Sequence, residues 1–139
     1  LISGDVPPFG FGFTGLLPES LPYDAFCRVL AKSLGKDEWQ VCGPVPERVG
    51  RVACCPGSGG GLLAEAVGSG ADVFITGDFK YHSALEATQA GLRVLDVGHF
   101  CLEEEMMRRF AAQLAEELTI PVAFFPGRDP LISERAPLL

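Results

Sequence analysis

From residue 62 onward the chain alternates between short apolar runs and stretches of helical spacing, and this rhythm constrains the fold more than any other feature. Leu62–Val67, Tyr81–Ala90 and Leu102–Leu118 carry the helical pattern, whereas Asp72–Ile75, Leu92–Val97 and Pro121–Phe125 read as strands. Strands separated by helices predict a mostly parallel sheet with helices packed on it. The runs Val73-Phe74-Ile75 and Val94-Leu95 are continuously apolar, as strands covered on both faces are. The predicted class is therefore α/β, with residues 1–139 in a single domain.

The first sixty residues are less regular. Residues 1–20, rich in Gly, Pro and Phe, predict a loop plus a short strand, with Phe9, Phe11 and Phe13 alternating to supply a packing face. Pro22 falls in the first turn of a helix carried by Phe26, Val29, Leu30 and Leu34, which Gly35 stops. Trp39–Cys42 and Val49–Cys55 are strands, the second entering the loop Pro56–Gly61. On the last helix Leu102, Met106, Phe110 and Leu114 share one face, while Glu104 with Arg108 and Glu105 with Arg109 are i,i+4 pairs on the other.

Composition sets the outer limits. A chain of 139 residues buries about two-thirds of its unfolded surface, and 47% hydrophobic against 21% charged residues excludes general disorder. A net charge of -7 disfavours a nucleic-acid backbone, and no apolar run is long enough for a membrane helix. Five cysteines without C-x-x-C spacing read as reduced thiols of an intracellular, cytoplasmic protein. The start at Leu1 rather than Met predicts a C-terminal fragment of something longer.

In open α/β sheets ligands gather beyond the carboxyl ends of the strands, and three such ends carry unusual residues. After Cys55, the loop containing Gly57, Ser58 and Gly59 could present backbone N–H groups to a phosphate, although a tight turn needs the same glycines. After Ile75, the segment Thr76–His82 gathers a carboxylate, an amine, a phenol and an imidazole. Asp78 and His82 are its candidate proton carriers, with helix capping the alternative for Asp78 and solvent exposure the alternative for Lys80 and Tyr81. After Val97, His99 and Glu103 stand four residues apart. At the start of a helix that spacing stacks imidazole and carboxylate on one side, where both could bind one divalent ion; a solvated helix start fits it too. The earlier Gly10-Phe11-Gly12-Phe13-Thr14-Gly15 spells a dinucleotide fingerprint without its βαβ context, and no NAD or FAD site is predicted there.

Taken in order, Gly12-Phe13-Thr14-Gly15, Arg51-Val52-Ala53-Cys54 with Gly57-Ser58-Gly59, Thr76-Gly77-Asp78 with Tyr81-His82, and Asp96-Val97-Gly98-His99 with Glu103 resemble the C-terminal part of the Nif-three-like family. Its members are often labelled type 2 GTP cyclohydrolase I homologues. The resemblance implies an α/β fold, a cleft with two divalent metal ions (Zn, Fe, Mn or Co) and assembly into toroidal hexamers. It implies His99 and Glu103 as metal ligands, the remaining ligands coming from an N-terminal half that this chain does not contain. The function it implies is that of a metal-dependent hydrolase acting on a nucleotide or phosphorylated small molecule, with Asp78 and His82 orienting groups or carrying protons and Gly57, Ser58 and Gly59 facing phosphate. The alternative is a non-catalytic oligomeric scaffold or regulatory partner with a structural or degenerate metal site.

Overall fold

The computed structural model describes residues 10–131. Five strands, β1 (Phe13–Pro22), β2 (Gln40–Cys42), β3 (Arg48–Ser58), β4 (Val73–Gly77) and β5 (Arg93–Asp96), form one sheet in the order β1-β3-β4-β5-β2. The three central strands are parallel, with Ala53 beside Phe74 and Phe74 beside Val94. The two edge strands pair antiparallel. Four helices accompany them: α1 (Tyr23–Leu34), α2 (Leu63–Gly68), α3 (Tyr81–Gln89) and α4 (His99–Glu117).

Alternation along β4 divides the core in two. Val73 and Ile75 point to a layer built with Phe26, Val49, Leu95, Val97 and Leu102, which α1 and α4 cover. Phe74 points the other way, to Ala53, Leu63, Ala66, Ala87 and Leu92, where α2 and α3 pack. Every residue of β4 is buried, which is why the sequence there is apolar without a break.

Several expectations need correction. Pro22 is the residue capping α1, just outside its first turn, and Gly35 ends that helix in the left-handed conformation. β1 is ten residues long, and Phe11 and Phe13 are largely exposed, so they supply no packing face among the described residues; Phe9 lies outside these. β3 continues through Pro56 to Ser58, across a register shift between Cys54 and Ser58 where a strand tolerates Pro. Pro121–Phe125 is not a strand but irregular chain lining a groove with Met107, Phe110, Ala111 and Leu114 of α4. Glu104 accepts the Gly127 N–H at 2.9 Å instead of pairing with Arg108, which turns to Glu105. On α4 only Leu102 is buried, leaving Met106 and Phe110 about half exposed.

Candidate metal centre

The carboxyl ends of β3, β4 and β5 lie side by side, so the three segments singled out in the sequence converge. β5 gives way to Gly98, whose φ of +96° suits glycine, and α4 begins at His99. Helical geometry then brings Glu103 under the imidazole, with Glu103 Oε1 3.1 Å from His99 Nε2. From the end of β4, Asp78 reaches across to accept the His99 Nδ1–H at 2.7 Å. Asp78 itself adopts φ +52°, a left-handed conformation that Asp tolerates better than most residues, and makes no cap for α3.

Glycines and a second aspartate hold this constellation together. A Cβ at Gly77 would overlap the backbone of His99, lying 2.6 Å from its Cα, so the strand end and the helix start touch only because residue 77 has no side chain. A Cβ at Gly57 would sit 2.8 Å from Glu103 Oε1 and 3.3 Å from His99 Nε2. Asp96 accepts the Phe79 N–H at 2.8 Å and the Gly98 N–H at 3.0 Å, tying the two loops to each other. Fully buried Thr76 accepts the Gly59 N–H at 2.9 Å and thereby fixes the turn after β3.

The electrostatics favour a positive charge at the His99 imidazole. The hydrogen bond to Asp78, and behind it the charges of Glu103 and Asp78, raise the His99 pKa above the usual imidazole value against a smaller opposing effect of burial. With Nδ1–H given to Asp78, neutral His99 turns the lone pair of Nε2 toward a carboxylate oxygen. A shared proton or a metal ion between them reconciles those two acceptors. The geometry accommodates the ion: two ligand atoms about 2.0–2.2 Å from one centre, at roughly 90–110°, lie about 2.8–3.6 Å apart. The observed 3.1 Å separation falls within that range. Among the described residues no group of three or more His, Cys, Asp or Glu side chains is arranged around one ion.

Beside the pair opens a cleft of about 640 Å³, whose lining includes Asp78, Asp96, His99 and Glu103 together with Lys36, Trp39 and Gln40. Of the residues selected from sequence, Asp78, His99 and Glu103 come together here, and Gly57 lies against the latter two. Ser58 is exposed at the end of β3, and the Gly59 N–H is taken by Thr76. His82 stands apart, exposed on α3 with its ring edge-on to Tyr81 at 5.8 Å, and does not line the cleft. Sequence reasoning assigned no role to Thr76, Asp96, Lys36 or Trp39. For Asp96 a signal existed, since an Asp two residues before Gly commonly bonds the following backbone.

Fold and site define a class: α/β proteins with a ligand crevice, bearing a His–carboxylate pair, at the carboxyl ends of a parallel sheet. The model of the Duf34/NIF3 (NGG1p interacting factor 3) family matches residues 7–130, and the chain belongs to that family. A Campylobacter jejuni protein named "GTP cyclohydrolase 1 type 2 homolog" is 37% identical over 99 residues, covering 71% of this chain and 38% of that protein. A crystal structure of a Staphylococcus aureus protein superposes with a TM-score of 0.73 at 28% identity, covering 89% of this chain and 42% of the other. That of a Bacillus cereus protein related to NIF3 gives 0.69 at 29% identity, covering 89% and 36%. The chain spans less than half the length of the curated relatives it matches. No helix among the described residues is long and apolar enough to cross a membrane.

Proposed function

We propose that this chain supplies part of a divalent-metal site that serves hydrolysis of a small phosphorylated substrate. The observation that carries the reading is the His99–Glu103 pair, its two facing atoms 3.1 Å apart with Asp78 fixing the imidazole from behind. A carboxylate behind a metal-binding histidine is the usual orienting arrangement, because it sets the tautomer and makes the ligating nitrogen more basic. Two protein ligands fall short of the three that commonly hold a catalytic ion, so the rest of the set comes from elsewhere in the complete site.

A divalent ion there supplies Lewis-acid polarisation of a substrate oxygen and acidification of a water. The chain's own residues do the rest. His99 and Glu103 hold the ion, Asp78 keeps the Nδ1 proton of His99 in place, and Gly57 leaves the space between β3 and the pair empty. Identity of the substrate is a separate matter: the name "GTP cyclohydrolase 1 type 2 homolog" carried by the relatives makes a nucleotide the first candidate.

Metal analysis of the protein and of His99→Ala tests the site: loss of bound metal in the variant is expected, and unchanged stoichiometry removes His99 from the ligand set. Turnover of nucleotides and phosphoesters by metal-loaded protein tests the chemistry. Total inactivity favours the second reading, an oligomeric scaffold with a structural metal. That reading has its own support in the exposed apolar side chains of α4, where Met106, Met107 and Phe110 are each about half exposed. Assembly into hexamers, which the family resemblance implies, is part of the proposal under either reading.

A further inference from the structure

The cleft beside His99 and Glu103 contains a cation that the metal pair does not need. Lys36 follows Gly35 at the end of α1, and its ammonium crosses to the carboxyl end of β5, donating to the Val97 carbonyl at 3.0 Å. An ammonium has three N–H donors, and among the described residues this is the one hydrogen bond found for it. No carboxylate of the described residues lies within 4.0 Å of it, although Glu38, Asp78, Asp96, Glu103 and Asp129 line the same cleft.

Four of these five acidic neighbours are otherwise engaged, Asp78 and Glu103 with His99, Asp96 with two backbone amides, Asp129 with the Leu131 N–H at 2.9 Å, while Glu38 is exposed and makes no hydrogen bond or ion pair among the described residues. The tether also fixes where the charge stands. A Cβ on Gly98 would lie 3.5 Å from Lys36 Nζ, so the ammonium hangs over the residue immediately before the histidine ligand. Half-buried Trp39, in the same loop, adds an aromatic side chain to the lining of the cleft.

We propose that Lys36 is the anion anchor of the cleft, taking a phosphate group of the substrate whose reacting atom lies at His99 and Glu103. This rests on the metal-site reading above and adds to it the substrate's anionic group and the residue that receives it. A tethered ammonium with donors to spare suits a phosphate as a point charge, while the bond to Val97 keeps it from collapsing onto a carboxylate.

The test is titration of the protein with inorganic phosphate, metal-loaded and metal-free, with metal content measured in parallel for wild type, Lys36→Met and Lys36→Arg. Lys36→Met is expected to weaken phosphate binding roughly tenfold or more, the worth of a charge-assisted hydrogen bond, with metal content unchanged. Lys36→Arg, which keeps the charge and the donor to Val97, is expected to retain most of it. Equal phosphate affinity in Lys36→Met and wild type at equal metal content overturns the inference. Absence of metal from wild type would sink the metal-site reading instead; phosphate binding by the metal-free protein then decides for Lys36, its loss in Lys36→Met upholding the anchor and its absence from wild type overturning it. Thermal melting of Lys36→Met separates loss of the Val97 tether from loss of the anion contact, because a purely structural Lys36 lowers the melting temperature and leaves phosphate affinity where it was, which also overturns the inference.

Discussion

Replacing Gly57 by Ala separates what this glycine does for the backbone from what it does for the His99–Glu103 pair. Its φ of +72° is left-handed, so any Cβ costs about 1–2 kcal/mol of strain, which lowers the melting temperature by about 4–8 °C. The new methyl also lies 2.8 Å from Glu103 Oε1, the far end of a flexible, half-exposed side chain that can rotate away at little cost in stability, and 3.3 Å from His99 Nε2, a contact relieved by a shift of a few tenths of an ångström. What rotation costs is the pair, because Glu103 Oε1 then no longer stands 3.1 Å from His99 Nε2. Gly91 is the control: its φ is +75°, and a Cβ there meets nothing within 4 Å. Gly91→Ala and Gly57→Ala should therefore lose similar stability in urea denaturation, to within about 0.5 kcal/mol. Only Gly57→Ala should weaken binding of Zn or Co, by roughly tenfold or more, in a competition titration with a chromophoric chelator. Equal metal affinity in the two variants would refute the reasoning, and so would a much larger stability loss at Gly57 than at Gly91.

Asp78→Asn should lower the His99 pKa in an NMR titration of the metal-free protein, since the hydrogen bond to Asp78 is the largest cause of its rise. The sign follows from linkage: a raised folded-state pKa gives stability that is full below the unfolded value of about 6.5 and fades as pH climbs through the folded value. Asp78→Asn should flatten that dependence, and an unchanged pKa would exclude Asp78 as the partner. Asp96→Ala removes the acceptor for the Phe79 and Gly98 amides and should cost about 2–4 kcal/mol in urea denaturation, with weaker metal binding because the histidine's loop is released. Burial pushes the Cys54 thiol up to about 12, so iodoacetamide at pH 8 should spare it in the native protein and label it after unfolding, as read by mass spectrometry.

The parallel centre of the sheet was legible because β4 and β5 are buried on both faces, and burial of that kind leaves an unbroken apolar run. The start of α4 was legible through Gly98 and the four-residue step from His99 to Glu103. The edges were not. β1 carries two prolines and exposed Phe13 and Leu16, so its ten residues are held by pairing with β3, a long-range partnership that local pattern does not report. Pro121–Phe125 has a strand's composition, but lies along α4 rather than pairing with the sheet. Within the site, sequence could bring Asp78 near the end of β4 but not turn it toward His99, which depends on its left-handed backbone and on Gly77 allowing the close approach of α4. Lys36 escaped notice because 61 residues separate it from the carbonyl it binds.

Crystals of the protein loaded with Co, measured by anomalous diffraction, test the metal pair most directly. The expected result is one anomalous peak about 2.0–2.2 Å from both His99 Nε2 and a Glu103 carboxylate oxygen, with Asp78 still on Nδ1. A metal bound through Nδ1, or one that leaves His99 and Glu103 paired with each other and sits elsewhere, would contradict it.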